Sequence, residues 1–162
     1  MPKISHIKFF KNISKKDVNI AGGKGASLGE MTQAKIPVPN GFVVLASAFD
    51  RFLEETQLKE DIAARLREVN PEDTNSVDKA SNIIRDAIHD RPMPKDLEKE
   101  ILSAFVKLDS KYVAVRSSAT AEDGAVASWA GELESYLNTE KKNLIERVRR
   151  CWSSLFTPRA IF

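Results

Sequence analysis

The sequence predicts an α+β fold on two observations. Its centre, from about residue 47 to 109, spaces apolar side chains three and four apart, while both flanks carry short strand-like runs that include β-branched and aromatic residues. Prolines at 37, 39, 71, 92 and 94 punctuate the pattern and set the element boundaries.

Ile4 to Phe10 reads as an edge strand. Gly25 to Ala34 reads as a helix that ends before Pro37, because a proline disfavours helical geometry in its predecessor. Phe42 to Leu45 is a buried strand. Ser47 is placed to cap a helix that turns Phe49, Phe52 and Leu53 inward, and Ile62, Leu66 and Val69 extend its apolar stripe to the break at Asn70-Pro71. Thr74 to His89 carries Val77, Ala80, Ile84, Ala87 and Ile88 at helical spacing. After Pro92-Met93-Pro94, a helix from Lys95 buries Leu97, Ile101, Phe105 and Leu108. From Tyr112 the period shortens. Tyr112 to Arg116 and roughly Glu134 to Asn138 form two short strands, and Thr139 is placed to cap a last helix with Leu144, Val148, Cys151, Trp152 and Leu155 on one face.

Two segments carry chemistry. Val115 to Asn138 brackets one arginine and several hydroxyls between strand-like runs. Arg116 offers a planar cation that grips phosphate oxygens in a bidentate way, while Ser117, Ser118 and Thr120 supply hydroxyls and Gly124 allows close backbone approach. The same residues also suit an ordinary hairpin with a hydroxyl-rich loop. Near the start, Ala21-Gly22-Gly23-Lys24-Gly25-Ala26-Ser27-Leu28-Gly29 runs into a helix, an arrangement that aims backbone N–H groups and one ammonium at an anion. It also suits a glycine-rich turn with Lys24 solvated. It is not a Walker A loop, because Val18 and Gly25 stand where that loop needs glycine and a hydroxyl. The dinucleotide spacing Gly-x-Gly-x-x-Gly is absent as well.

Composition narrows the classes. At 162 residues and 42% hydrophobic content the chain suits one compact domain. Lys+Arg 25 against Asp+Glu 23 leaves a net charge of +2, too balanced for a dedicated nucleic-acid binder. No apolar run is long enough for a membrane span and the N-terminus lacks the apolar core of a signal peptide, so no membrane role and a cytoplasmic location are expected. The single cysteine, Cys151, excludes an internal disulfide and reads as a core filler. His6 and His89 both read as structural or exposed.

Four motifs occur in one order: Gly-Gly-Lys-Gly-Ala-Ser-Leu-Gly-Glu-Met from Gly22, Ile-Pro-Val-Pro-Asn-Gly-Phe-Val-Val from Ile36, Val-Ala-Val-Arg-Ser-Ser-Ala-Thr-Ala-Glu-Asp from Val113, and Cys-Trp-Ser-Ser-Leu-Phe-Thr from Cys151. That order resembles the N-terminal nucleotide-binding region of the phosphoenolpyruvate synthase and pyruvate phosphate dikinase family, from about Gly22 to Phe162. Ala127-Ser128-Trp129-Ala130-Gly131 followed by Tyr136-Leu137-Asn138 is closer to the synthase branch. Synthases usually carry glutamine after the Ala-Gly pair. Glu132 stands there in this chain, which leaves that nucleotide contact unassigned.

The resemblance implies the first subdomain of an ATP-grasp-like nucleotide-binding domain with a helical insert at about 47–109, occupying residues 1–162. It implies ATP as ligand, with Lys24 and Arg116 on its phosphates, Ser117, Ser118 and Thr120 in a flap over them, and Gly131 letting the nucleotide approach the backbone. Magnesium ligands are expected in a second subdomain beyond Phe162, together with a phosphohistidine domain and a barrel that binds pyruvate. No catalytic residue and no metal ligand is assigned within the chain. Glu122 and Asp123 are expected to fix their loop, and Glu30 to pair with Lys24 or a neighbouring helix. The parent enzyme would phosphorylate its own histidine from ATP and then pyruvate, with the fragment inactive alone. Two alternatives are a stand-alone nucleotide-binding or regulatory module and the N-terminal part of a rifampicin-type phosphotransferase. Trp152, Leu155, Phe156, Ile161 and Phe162 are expected to leave an apolar end through which the chain self-associates.

Overall fold

A computed structural model describes residues 5–118 and 135–161. The protein is α+β, and among the described residues helices predominate and the strands form two separate two-stranded antiparallel sheets. Strand β1 (Ile7–Phe9) pairs with β2 (Phe42–Val44) in the register Ile7↔Val44 and Phe9↔Phe42. The rings of Phe9 and Phe42 sit with centroids 5.8 Å apart, a cross-strand aromatic pair that helps fix this register.

Between β1 and β2 the chain makes 3-10 turns at Phe10–Asn12 and Lys15–Asp17 before helix α1 (Val18–Gln33). Ser14 and Asp17 form a reciprocal capping box, in which Asp17 Oδ2 accepts from the Ser14 N–H at 2.9 Å and Ser14 Oγ from the Lys16 N–H at 3.2 Å. The helix therefore starts well before the Gly25 expected from the sequence, but it is broken at Gly22, whose φ of 78° and ψ of 170° are not helical.

Four helices follow β2: α2 (Ala46–Glu55), α3 (Leu58–Arg67), α4 (Thr74–Asp90) and α5 (Lys95–Lys107). Gln57, with a positive φ of 62°, separates α2 from α3 and ends the continuous stripe expected there. Ser47 does not cap α2. The helix begins at Ala46 without a side-chain cap, and Ser47 Oγ instead bonds His6 Nδ1 at 2.9 Å. Asp73 caps α4 through the Asn75 N–H.

Strands β3 (Val113–Arg116) and β4 (Ser135–Thr139) pair with an irregularity between Val113 and Val115. Two steps along β3 match three along β4, and Asn138, with a φ of 53°, sits in the extra step. Thr139 belongs to β4 and is buried there, with its hydroxyl on the Tyr136 carbonyl. Glu140 caps the next turn in its place. Helix α6 (Leu144–Ser153) then lies across α4, α5 and both strands, and a short helix α7 (Pro158–Ile161) follows.

The main core joins α2 to α6. Phe52, Leu58, Ile84, Ile88, Leu97 and Ile101 are essentially inaccessible, and the Trp152 ring lies 5.2 Å from both Phe49 and Phe52. Trp152 is thus part of the core, and Leu155, Phe156 and Ile161 are half-buried rather than bare, while Phe162, the last residue of the apolar end expected from the sequence, lies outside the described residues. Cys151 is buried, as a core filler should be. A smaller cluster of Ile13, Ala21 and Leu45, flanked by Phe10 and Val43, lies under the broken part of α1. Among the described residues no helix is long and apolar enough to cross a membrane.

Candidate nucleotide site

The break in α1 and the end of β3 meet. Ser118 lies 93 residues from Gly25, yet its Oγ accepts the Gly25 N–H at 3.0 Å and donates to the Ala21 carbonyl at 2.7 Å. Gly22 sits between these two groups. A Cβ built on it would fall 2.3 Å from Ser118 Oγ and 2.4 Å from the Ser118 carbonyl oxygen, so the approach of the strand to the loop needs glycine both for space and for its positive φ. The two segments singled out from sequence are therefore one structural junction.

The loop is held from below by a second close approach. At Gly29 a Cβ would meet the Ile13 carbonyl oxygen at 2.4 Å, and Gln33 Nε2 donates to the same carbonyl. Ile13 is fully buried and anchors the small cluster. Above, Gly23 faces open space, with nothing within 4 Å of where its Cβ would stand. Lys24 follows it, half-buried, with no ion pair or hydrogen bond among the described residues. Of the two partners expected for Glu30 it takes the neighbouring helix and not Lys24: its carboxylate accepts the backbone N–H of Lys15, in the 3-10 turn Lys15–Asp17, at 2.8 Å.

Along β3 the side chains alternate. Val113 and Val115 pack on the main core, while Ala114 and Arg116 face solvent. Arg116 is exposed, and its only partner among the described residues is Ser135 Oγ across the strand pair at 3.4 Å. Ser117 turns the other way. It is buried, its Oγ donates to the Cys151 carbonyl at 3.3 Å, and it shares a hydrogen bond with Ser154 Oγ at 3.0 Å. Three successive residues thus point outward, into α6 and across to the glycine loop. Thr120 and Gly131, and with them Glu122, Asp123 and Glu132, lie outside the described residues.

Ser117 was expected in a flap over phosphate. Here its hydroxyl ties the strand end to α6, a role signalled only by the Ser153-Ser154 pair after Trp152. Both of those serines are fully buried. Ser153 Oγ bonds His89 Nε2 at 2.9 Å, and burial together with the charges of Arg150 and Arg85 pushes the His89 imidazole below its ordinary value of 6.5. Two shallow surface depressions lie elsewhere, one along the outer face of α5 and one between α3 and α4, and neither is lined by Lys24, Arg116 or Ser118. Among the described residues no three His, Cys, Asp or Glu side chains gather as a metal site.

A cation on a glycine-broken helix, set beside a strand that ends in an exposed arginine, is an arrangement suited to a polyphosphate ligand. Residues 18–162 match the family described as pyruvate phosphate dikinase, AMP/ATP-binding domain, and the chain belongs to that family. Among its relatives, the chain is 43% identical over 166 residues to a probable phosphoenolpyruvate synthase of Methanothermobacter thermautotrophicus, an overlap covering 98% of this chain and 24% of that protein. It is 48% identical to a probable phosphoenolpyruvate synthase of Methanocaldococcus jannaschii, covering 96% of this chain and 14% of that protein. The phosphoenolpyruvate synthase of Helicobacter pylori is 42% identical, with 96% of this chain and 21% of that protein covered. The chain thus spans less than a quarter of the length of these relatives.

Proposed function

We propose that the chain is the ATP-binding part of a phosphoenolpyruvate synthase-like dikinase, a protein that phosphorylates a carrier histidine from ATP and passes the phosphoryl group to pyruvate. In this reading the chain is the first subdomain of an ATP-grasp-like cleft, working in the cytoplasm. The observation that carries the proposal is the junction of the Gly22–Gly25 loop with the end of β3, in a chain whose family is an AMP/ATP-binding domain.

Phosphoryl transfer is catalysed largely by positioning and by neutralising charge on phosphate oxygens. Lys24 supplies a point charge from the loop, and Arg116 supplies a planar cation from the rigid strand end. Thr120 and Gly131 complete the nucleotide contacts in the segment that follows. ATP brings magnesium, which neutralises phosphate charge when bound. In this reading its protein ligands come from a second subdomain of the parent protein.

The carrier histidine and the pyruvate site also belong to other parts. His6 and His89 each bond a serine hydroxyl, and His89 is half-buried beside arginines, so neither is offered as a phosphoryl carrier. Calorimetric titration of ATP tests the reading. Wild-type chain should bind ATP, and Lys24→Ala combined with Arg116→Ala should weaken that binding about a hundredfold or more, as expected from the loss of two charge-assisted contacts of about 1.5–3 kcal/mol each. Unchanged affinity in the double variant would remove both residues from the site.

A further inference from the structure

We infer that Ser118 is a positioning residue for nucleotide binding: its hydroxyl replaces a broken helical hydrogen bond and so fixes Lys24 relative to Arg116. The inference rests on the nucleotide reading above. In an uninterrupted α-helix the N–H of residue 25 would bond the carbonyl of residue 21. Gly22 breaks the helix inside that span, and the Ser118 hydroxyl stands between the two separated groups, accepting from Gly25 N–H at 3.0 Å and donating to the Ala21 carbonyl at 2.7 Å.

A hydroxyl has one proton to donate. That proton is committed to Ala21, so Ser118 is not arranged here as a phosphate donor, the role expected of it from sequence. What it does instead is join two cation-bearing segments. Lys24 lies inside the bridged span from Ala21 to Gly25, and Arg116 lies two residues before Ser118 on β3. The bridge is anchored on the strand side, because Ser117 is buried against Cys151 and Ser154 and Arg116 pairs in register with Ser135. On the loop side, Gly25 packs against Val43 Cγ2, with a Cβ there falling 3.0 Å from it. A helix opened at Gly22 and left without the bridge would expose two unpaired backbone groups and free the loop to move Lys24.

The test pairs a structural with a functional readout on the 162-residue chain. Ser118→Ala should raise amide hydrogen exchange at Gly25, followed by NMR without nucleotide. It should weaken ATP binding about tenfold, the size expected for one lost bridge of this kind, and leave adenosine binding unchanged. In a Lys24→Ala background the same substitution should have no further effect on ATP, because the bridge acts through Lys24. Ser118→Cys, close in shape with a weaker donor, should fall between, and carries the comparison if the alanine variant does not fold. Unaltered Gly25 exchange would overturn the bridge. Additive losses with Lys24→Ala, or equal losses for ATP and adenosine, would overturn the positioning role and return Ser118 to direct contact or general structure. A wild-type chain that binds no ATP would sink the nucleotide reading and the positioning role together, whereas Gly25 exchange would still report whether the bridge exists.

Discussion

In the helical block, Phe52 is wholly buried with its ring 5.2 Å from Trp152, and Ile84, Ile88, Leu97 and Ile101 close around the same core. At the glycine loop the backbone is fixed instead by one serine hydroxyl and by the absence of a Cβ at Gly22. The first region is held by apolar area, which is non-directional and shared over many neighbours. The second is held by a few directional contacts, each of which fails separately. A site that must accept a charged ligand gains from the second kind of support, since the loop can be rigid without being covered.

The largest effect should come from the core. Phe52→Ala removes a fully buried ring and should cost about 3–5 kcal/mol of stability, read as a lowered denaturant midpoint. If it costs no more than a surface substitution, the helical block is not the support assumed here. The next effect separates neighbours. Gly22→Ala must place a Cβ 2.3–2.6 Å from Ser118 at a positive φ, and should destabilise by about 1–3 kcal/mol while loosening the loop. Gly23→Ala meets nothing within 4 Å and should be neutral or gain up to about 1 kcal/mol from its better helix propensity. Thermal unfolding of the two variants side by side checks this, and equal losses would show that the junction with Ser118 is not what constrains Gly22.

The smallest effect is electrostatic. Burial, then the charges of Arg150 and Arg85, hold the His89 imidazole below its ordinary value, against an opposing pull from Asp86 and with a smaller push from Arg149. The unfolded chain therefore binds more protons than the folded one between 6.5 and the lowered folded value. Stability is full above 6.5 and falls as pH drops through that window. His89→Gln should flatten the melting temperature across that window, while the carboxylates Asp17, Asp96 and Glu146, held low by hydrogen bonds to Ser14, Arg51 and Arg150, act only at more acid pH. An unchanged pH slope in the variant would remove His89 as its source.

Periodicity made the helical block legible. Val77, Ala80, Ile84 and Ile88 share a face because the helix repeats every 3.6 residues, and that spacing is local. Capping was less legible. Ser47 and Thr139 are sound cap residues by type, yet the Ser47 hydroxyl is taken by the distant His6, and Thr139 is drawn into β4 by backbone pairing with the distant Val113. At the site, Lys24 and Arg116 were visible as cations in suitable segments, but the different duties of Ser117 and Ser118 were not. Two adjacent serines of identical chemistry face opposite partners, Ser154 and the Cys151 carbonyl for one, Ala21 and Gly25 for the other.

The sequence alone determined the α+β class, the helical stretches and the order of motifs, because these depend on local spacing and on residue type. That Gly22, rather than Gly23, must be glycine, and that a hydroxyl 97 residues from Ala21 bridges the opened helix, follows from the packing of distant segments. A hydrogen bond or a forbidden Cβ is set by what stands within about 3 Å in space, a proximity created where Ser118, just past the end of β3, meets the broken part of α1 and written in neither segment by itself.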